Sequence, residues 1–166
     1  MYPANHDPGM TLRQAALIAG FCLLIMAFSA PIAELFVYPK VVIPGNIKET
    51  AHNILAHQGL FLAGVFCYLS TFIGDMLVAW AFYLLLIPAD RSVSLLAAWF
   101  RLVHAVISLV GLSRLMTAFR LLNTPDHMSE FGPDHLHAQV QLLLSSFRYE
   151  WSFGLLFFAV HLGLLG

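Results

Sequence analysis

Four stretches of this chain, residues 14–37, 60–87, 93–122 and 147–166, are apolar for so long that lipid is the only solvent that suits them. Crossing the hydrocarbon of a bilayer takes about 20 mostly apolar residues in helical form. Inside lipid every backbone N–H and C=O must be paired, and runs of this length satisfy that as helices. The expected fold is all-α: a polytopic transmembrane helix bundle with about four spans, forming a single domain over residues 1–166.

Composition excludes a water-facing shell. The 166 residues are 60% hydrophobic and 10% charged, against roughly 45–50% and 25% in soluble domains. A formal charge of −1 supplies no basic field, so nucleic acid is not an expected partner. Cys22 and Cys67 both fall in apolar runs, where a thiol behaves as a small hydrophobe and carries no redox information. The N-terminal MYPANHDPGM has no basic region, and no small-residue cleavage site follows the first apolar run, so that run is expected to remain as a membrane helix.

Breakers and caps divide the spans. Pro31 lies inside the first and is expected to kink its outer third, because it lacks an N–H and crowds the preceding turn. Residues 47–58 and 134–146 carry apolar side chains at helical spacing on a polar background, and read as interfacial helices. Pro88 to Arg91 is a tight turn, with Asp90 or Ser92 as the cap of the next helix. The acidic loop holding Asp126, Glu130 and Asp134 favours an N-terminus on the cytoplasmic side, although Lys and Arg counts in the flanks are balanced.

Ionisable groups at membrane depth cost at least about 2.5–3.5 kcal/mol on insertion scales, so each calls for a partner. Asp75 precedes the Pro88 turn by about as many residues as Arg101 and His104 follow it, and in an antiparallel hairpin the three meet at one depth. Gly64, Tyr68, Thr71, Asp75 and Ala79 form one helical stripe, and Arg101, His104, Ser108 and Gly111 form another. Two readings of this buried polar cluster stand. One is a structural ion pair that sets helix register; the other is a polar pocket or proton path in which His104 titrates near neutral pH. Glu34, Arg148, Glu150 and His161 are secondary candidates. Glu34 is expected to make a surface pair with Lys40 or Arg148, and Arg148 and Glu150 to lie at the interface.

Five histidines, His52, His57, His127, His135 and His137, fall in the two loops that share one membrane side, where imidazole and carboxylate together suit zinc or copper. Their spacing matches no metal motif, and His135 and His137 point to different helix faces. Haem would need His104 and His161 as axial ligands. Counted from the cytoplasmic ends at about 1.5 Å per residue, their depths differ by roughly 10 Å. No cofactor is expected, with haem or zinc/copper as the alternative.

Four segments then carry a resemblance: AELFVYPKVVIPGNIKETAHNILAHQGLF, DMLVAWAFYLLLIP, LLAAWFRLVHAVI and FGLLFFAVHLGLLG. Over residues 12–166 the chain resembles the bacterial multi-pass membrane family catalogued as domain of unknown function 4386. The matching residues are Glu34, Pro44, Gly45, Asn53, Asp75, Arg101 and His161. The resemblance implies a multi-pass fold in the bacterial inner membrane and assigns a catalytic role to none of them. Members of that family continue past the position of Gly166, which implies that this chain corresponds to their N-terminal two thirds.

The expected function is that of a non-catalytic accessory or structural subunit packing against other membrane chains, with a respiratory or photosynthetic assembly as one host. Aromatic surfaces including Phe61, Phe66, Phe72, Trp80 and Phe82 are read as contacting lipid or partner helices. The alternatives are a small-molecule or proton transporter built around Asp75, Arg101 and His104, and a membrane metal or haem protein.

Overall fold

The computed structural model describes residues 11–124 and 132–166, all of it helix and connecting turn. Helix α1 runs over Leu12–Pro31, capped by Thr11 and Gln14 in a reciprocal capping box. Pro31 does not break the helix. It is followed by a π-helical turn, Ile32–Val37, and then a short α2, Tyr38–Val41, so helical backbone continues from Leu12 to Val41. The proline has no N–H to give the preceding turn, and the wider π turn that follows it accommodates the lost hydrogen bond.

The chain leaves the helix at Val42 and turns through Gly45, whose φ of 76° suits glycine. Thr50 closes this turn by bonding both the N–H and the carbonyl of Ile43. Asn46 caps α3, Ile47–Ala56, by accepting from the Glu49 N–H at 3.1 Å. Thr50, Ala51 and Ile54 make its buried face. Helix α4 follows as Gln58–Leu86, and α5 as Arg91–Asn123. Asp90, not Ser92, caps α5, accepting from the N–H groups of Ser92 and Val93 at 2.7 and 3.0 Å.

The last helix, α6, is continuous over Pro133–Leu165. The expected interfacial segment and fourth span are therefore one element. Among the described residues, three helical segments are long and apolar enough to cross a membrane: Leu12–Val41, Gln58–Leu86 and Arg91–Asn123. The chain is thus an integral membrane protein. Helix α6 carries more polar side chains, yet it lies antiparallel along α5, with Glu150 opposite Gly111, Gly154 opposite His104 and His161 opposite Ala97. Its second half consequently sits at the depth of the α5 span.

Backbones pack in the order α1, α4, α5, α6, with α3 laid across one end against α4, α5 and α6. Helices α4 and α6 are bridged by ring systems. Tyr68 lies 5.3 Å from Phe147 and 5.5 Å from Trp151, and Phe72 lies 5.5 Å from Trp151. Aromatic pairs at such separations contribute beyond the area they bury. Phe61 and Phe72, read from sequence as outward surface, instead belong to the core, whereas Phe66 and Trp80 face outward. Both kinds of face are apolar in a membrane helix, so hydropathy cannot tell them apart.

Candidate functional site

All members of the two stripes of α4 and α5 are buried, and the stripes meet at Asp75, Arg101 and His104; elsewhere Gly64, Tyr68 and Thr71 contact Val37, Glu34 and Ser29, while Ser108 and Gly111 contact α6 at Gly154 and Glu150. Asp75 Oδ1 lies 2.7 Å from Arg101 Nη2, and Asp75 Oδ2 lies 3.5 Å from His104 Nε2. The hairpin turn at Pro88 to Arg91 brings this about, because it leaves the two helices in an antiparallel register that puts residues 75 and 101 level.

Helix α6 adds a fourth member. His161 Nδ1 lies 2.8 Å from the Ala97 carbonyl, and its Nε2 lies 3.1 Å from Arg101 Nη1. A carbonyl only accepts, so Nδ1 is the protonated nitrogen and Nε2 accepts from the guanidinium. His161 is thereby a neutral acceptor for a buried cation. Helix α6 sets Gly154 opposite His104 and His161 opposite Ala97, seven residues away along either helix, so the backbones of the two histidines differ in depth by roughly 10 Å, as counting from the helix ends implied.

Aromatic rings close the site. The Arg101 guanidinium carbon lies 5.2 Å from the Phe158 ring and 5.7 Å from the Phe82 ring, a distance at which a cation is attracted to the ring face. Phe82 also stacks on His161. Asp75 and Arg101 are each 2% exposed, His104 5% and His161 0%. Low dielectric strengthens each contact and raises the cost of breaking one.

A second polar group lies toward the α3 end. Glu34, in the π turn, accepts from the Tyr68 hydroxyl at 2.5 Å and is paired with Arg148, whose guanidinium also lies over the Tyr38 ring. Of the two expected partners for Glu34, the structure pairs it with Arg148. Tyr68 was legible only as a member of the α4 stripe. Nearby, Glu150 Oε1 lies 3.2 Å from Arg114 Nε. Arg114 was missed, although it stands one helical turn beyond Gly111 on the same stripe.

Among the loop histidines, His52, His57 and His135 are exposed and His137 is half-buried, while His127 lies outside the described residues. Among the described residues no three metal-ligating side chains converge. For haem, both nitrogens of His161 are already engaged, and His104 directs Nε2 at Asp75.

Fold and site together define a polytopic helical membrane protein whose intramembrane charges are paired within the bundle. The chain belongs to the family described as Domain of unknown function (DUF4386), whose model matches residues 18–166. No curated protein and no solved structure matches it.

Proposed function

We propose that this protein is a non-catalytic accessory or structural subunit of the bacterial inner membrane, packing within a larger membrane complex such as a respiratory or photosynthetic assembly. The observation that carries this reading is the surface of α1 and α4. Between them runs an open apolar trough of about 640 Å³, lined by residues including Leu17, Phe21, Phe66, Leu69, Ile73 and Leu77. Phe21 is 65% exposed and Phe66 68%. Ridged apolar faces of this kind let a further helix pack by van der Waals contact, the main source of helix association in lipid.

The state of the buried charges supports the same reading over substrate passage. Asp75, Arg101, His104 and His161 contact one another across three helices and are buried, as a register-setting cluster requires. Isolation from native membranes in mild detergent, with mass spectrometry of co-migrating chains, tests the proposal. A membrane partner at fixed stoichiometry, weakened by Phe66→Ala and Ile73→Ala, is the expected result. A monodisperse lone chain sinks it.

A further inference from the structure

Where α2 ends and the chain turns into α3, a cavity of about 220 Å³ opens between that turn and α6. Ile43, Pro44 and Ile47 contribute to one wall, and Gln141, Leu144 and Ser145 form the other. The turn wall is fixed without a ligand. Thr50, 1% exposed, bonds both the N–H and the carbonyl of Ile43, and Gly45 supplies the positive φ. A molecule that enters therefore meets a preorganised surface and bears little ordering cost. The first span ends at Val41, so the cavity lies at the boundary between hydrocarbon and water. It is separate from the trough between α1 and α4, and the argument for it does not rest on the subunit reading.

The lining selects a ligand by charge and by hydrogen bonding. Among the described residues no ionised side chain lines the cavity, so a charged head would lose its hydration without gaining a partner. The Arg148 guanidinium beside Tyr38 is committed to Glu34. Of the polar side chains in the lining, Thr50 is engaged with Ile43, and Asn46 uses both ends of its carboxamide on Glu49. Ser145 donates its proton to the Leu142 carbonyl, so its oxygen is left to accept. Gln141 and the Tyr38 hydroxyl make no hydrogen bond among the described residues. The other three of the four glutamines are engaged: Gln14 with Thr11, Gln58 with Asn123 and Gln139 with His135.

Gln141 thus offers a donor and an acceptor, and Ser145 an acceptor, on an otherwise largely apolar wall. A head made of carbonyls alone would leave both acceptors unmatched, whereas a hydroxyl both donates and accepts. We propose that this cavity binds the uncharged, hydroxyl-bearing head of a membrane amphiphile of the acylglycerol class, with Gln141 and Ser145 as its hydrogen-bonding partners and the acyl chains remaining in the bilayer. A few placed polar groups in an apolar recess are the usual form of such a site.

The test is titration of 1,2-dioctanoylglycerol into ¹⁵N-glutamine-labelled protein in phosphatidylcholine nanodiscs, read from the side-chain carboxamide signals, with Gln141 assigned by its loss in Gln141→Leu. The Gln141 signal is expected to move to saturation while those of Gln14, Gln58 and Gln139 hold still. Decylubiquinone, whose carbonyls only accept, and dioctanoylphosphatidylglycerol, whose phosphate is charged, should leave it in place at the same concentration. In Ser145→Ala the concentration for half the shift should rise about two- to tenfold, the range for one hydrogen bond. In Ser145→Phe, which fills the cavity, the shift should vanish. A Gln141 signal that does not respond to dioctanoylglycerol overturns the proposal. So does movement of all four signals alike, an equal response to either comparison lipid, or undiminished affinity in Ser145→Ala.

Discussion

His161 accepts from Arg101 at 3.1 Å while donating to the Ala97 carbonyl at 2.8 Å, so one side chain of α6 holds both the charge and the backbone of α5. Replacing it with leucine keeps the bulk and leaves a guanidinium N–H unpaired. His161→Leu should cost about 1.5–3 kcal/mol, the range for a hydrogen bond to a charged group. Equilibrium unfolding in mixed detergent micelles measures this, and wild-type stability in the variant would show that the contact carries no energy.

The Asp75–Arg101 pair predicts a pattern more than a single value. Removing one partner strands a charge, so Asp75→Leu and Arg101→Met should each destabilise by about 3–5 kcal/mol. The double variant removes the pair and should recover most of that loss. Two harmless single variants, or fully additive losses, would contradict the pairing.

At the other polar group, burial separates the partners of Glu34. Tyr68 is 2% exposed, whereas the side chain of Arg148 is 46% exposed. Tyr68→Phe should therefore cost about 1.5–3 kcal/mol, and Arg148→Met less than about 1 kcal/mol because solvent screens that pair. The same unfolding experiment reads both, and the reverse order would mean that Glu34 depends chiefly on Arg148.

Helix α1 is held to α4 by close approach. Ser29 Oγ and Thr71 Oγ1 lie 2.9 Å apart, and a Cβ on Gly74 would meet Met26 at 2.9 Å. With Cys22 and Cys67 replaced by alanine, the pair Ser29→Cys and Thr71→Cys should form a disulfide on mild oxidation, visible as a mobility shift on non-reducing gels. Adding Gly74→Val should lower the cross-link yield, because the new side chain must displace that of Met26. Cross-linking that persists at full yield would show that the glycine contact does not set the helix spacing.

Much of the site was legible because counting residues from a tight turn is a local operation. The turn at Pro88 to Arg91 made α4 and α5 antiparallel neighbours, and counting residues from it put Asp75, Arg101 and His104 at one depth. His161 was not placed by the same means. It is separated from α5 by the connection over residues 124–132, and counting from helix ends gave its depth but not that its ring bonds Arg101 and the Ala97 carbonyl. Glu34 was seen as a charge seeking a partner, but the π turn that rotates it toward Tyr68 and Arg148 leaves no signature beyond Pro31.

Hydropathy likewise ran out at a defined point. It marks residues that avoid water, and in lipid both the core and the outer surface do so. Phe72 at 0% and Phe66 at 68% exposure differ only in which neighbour covers them.

By itself, the sequence determined the membrane location, the helical class, the turn at Pro88 to Arg91 and the depth at which the α4 and α5 charges meet. Each of these depends on composition or on spacing along one helix or one short turn. Only the tertiary structure decided the register of α6, the partners of Arg101, Glu34 and Glu150, and the division of aromatic residues between core and surface. Those follow from packing between segments distant in the chain, where glycines such as Gly111 and Gly154 set how closely two helices approach and therefore which side chains come within reach.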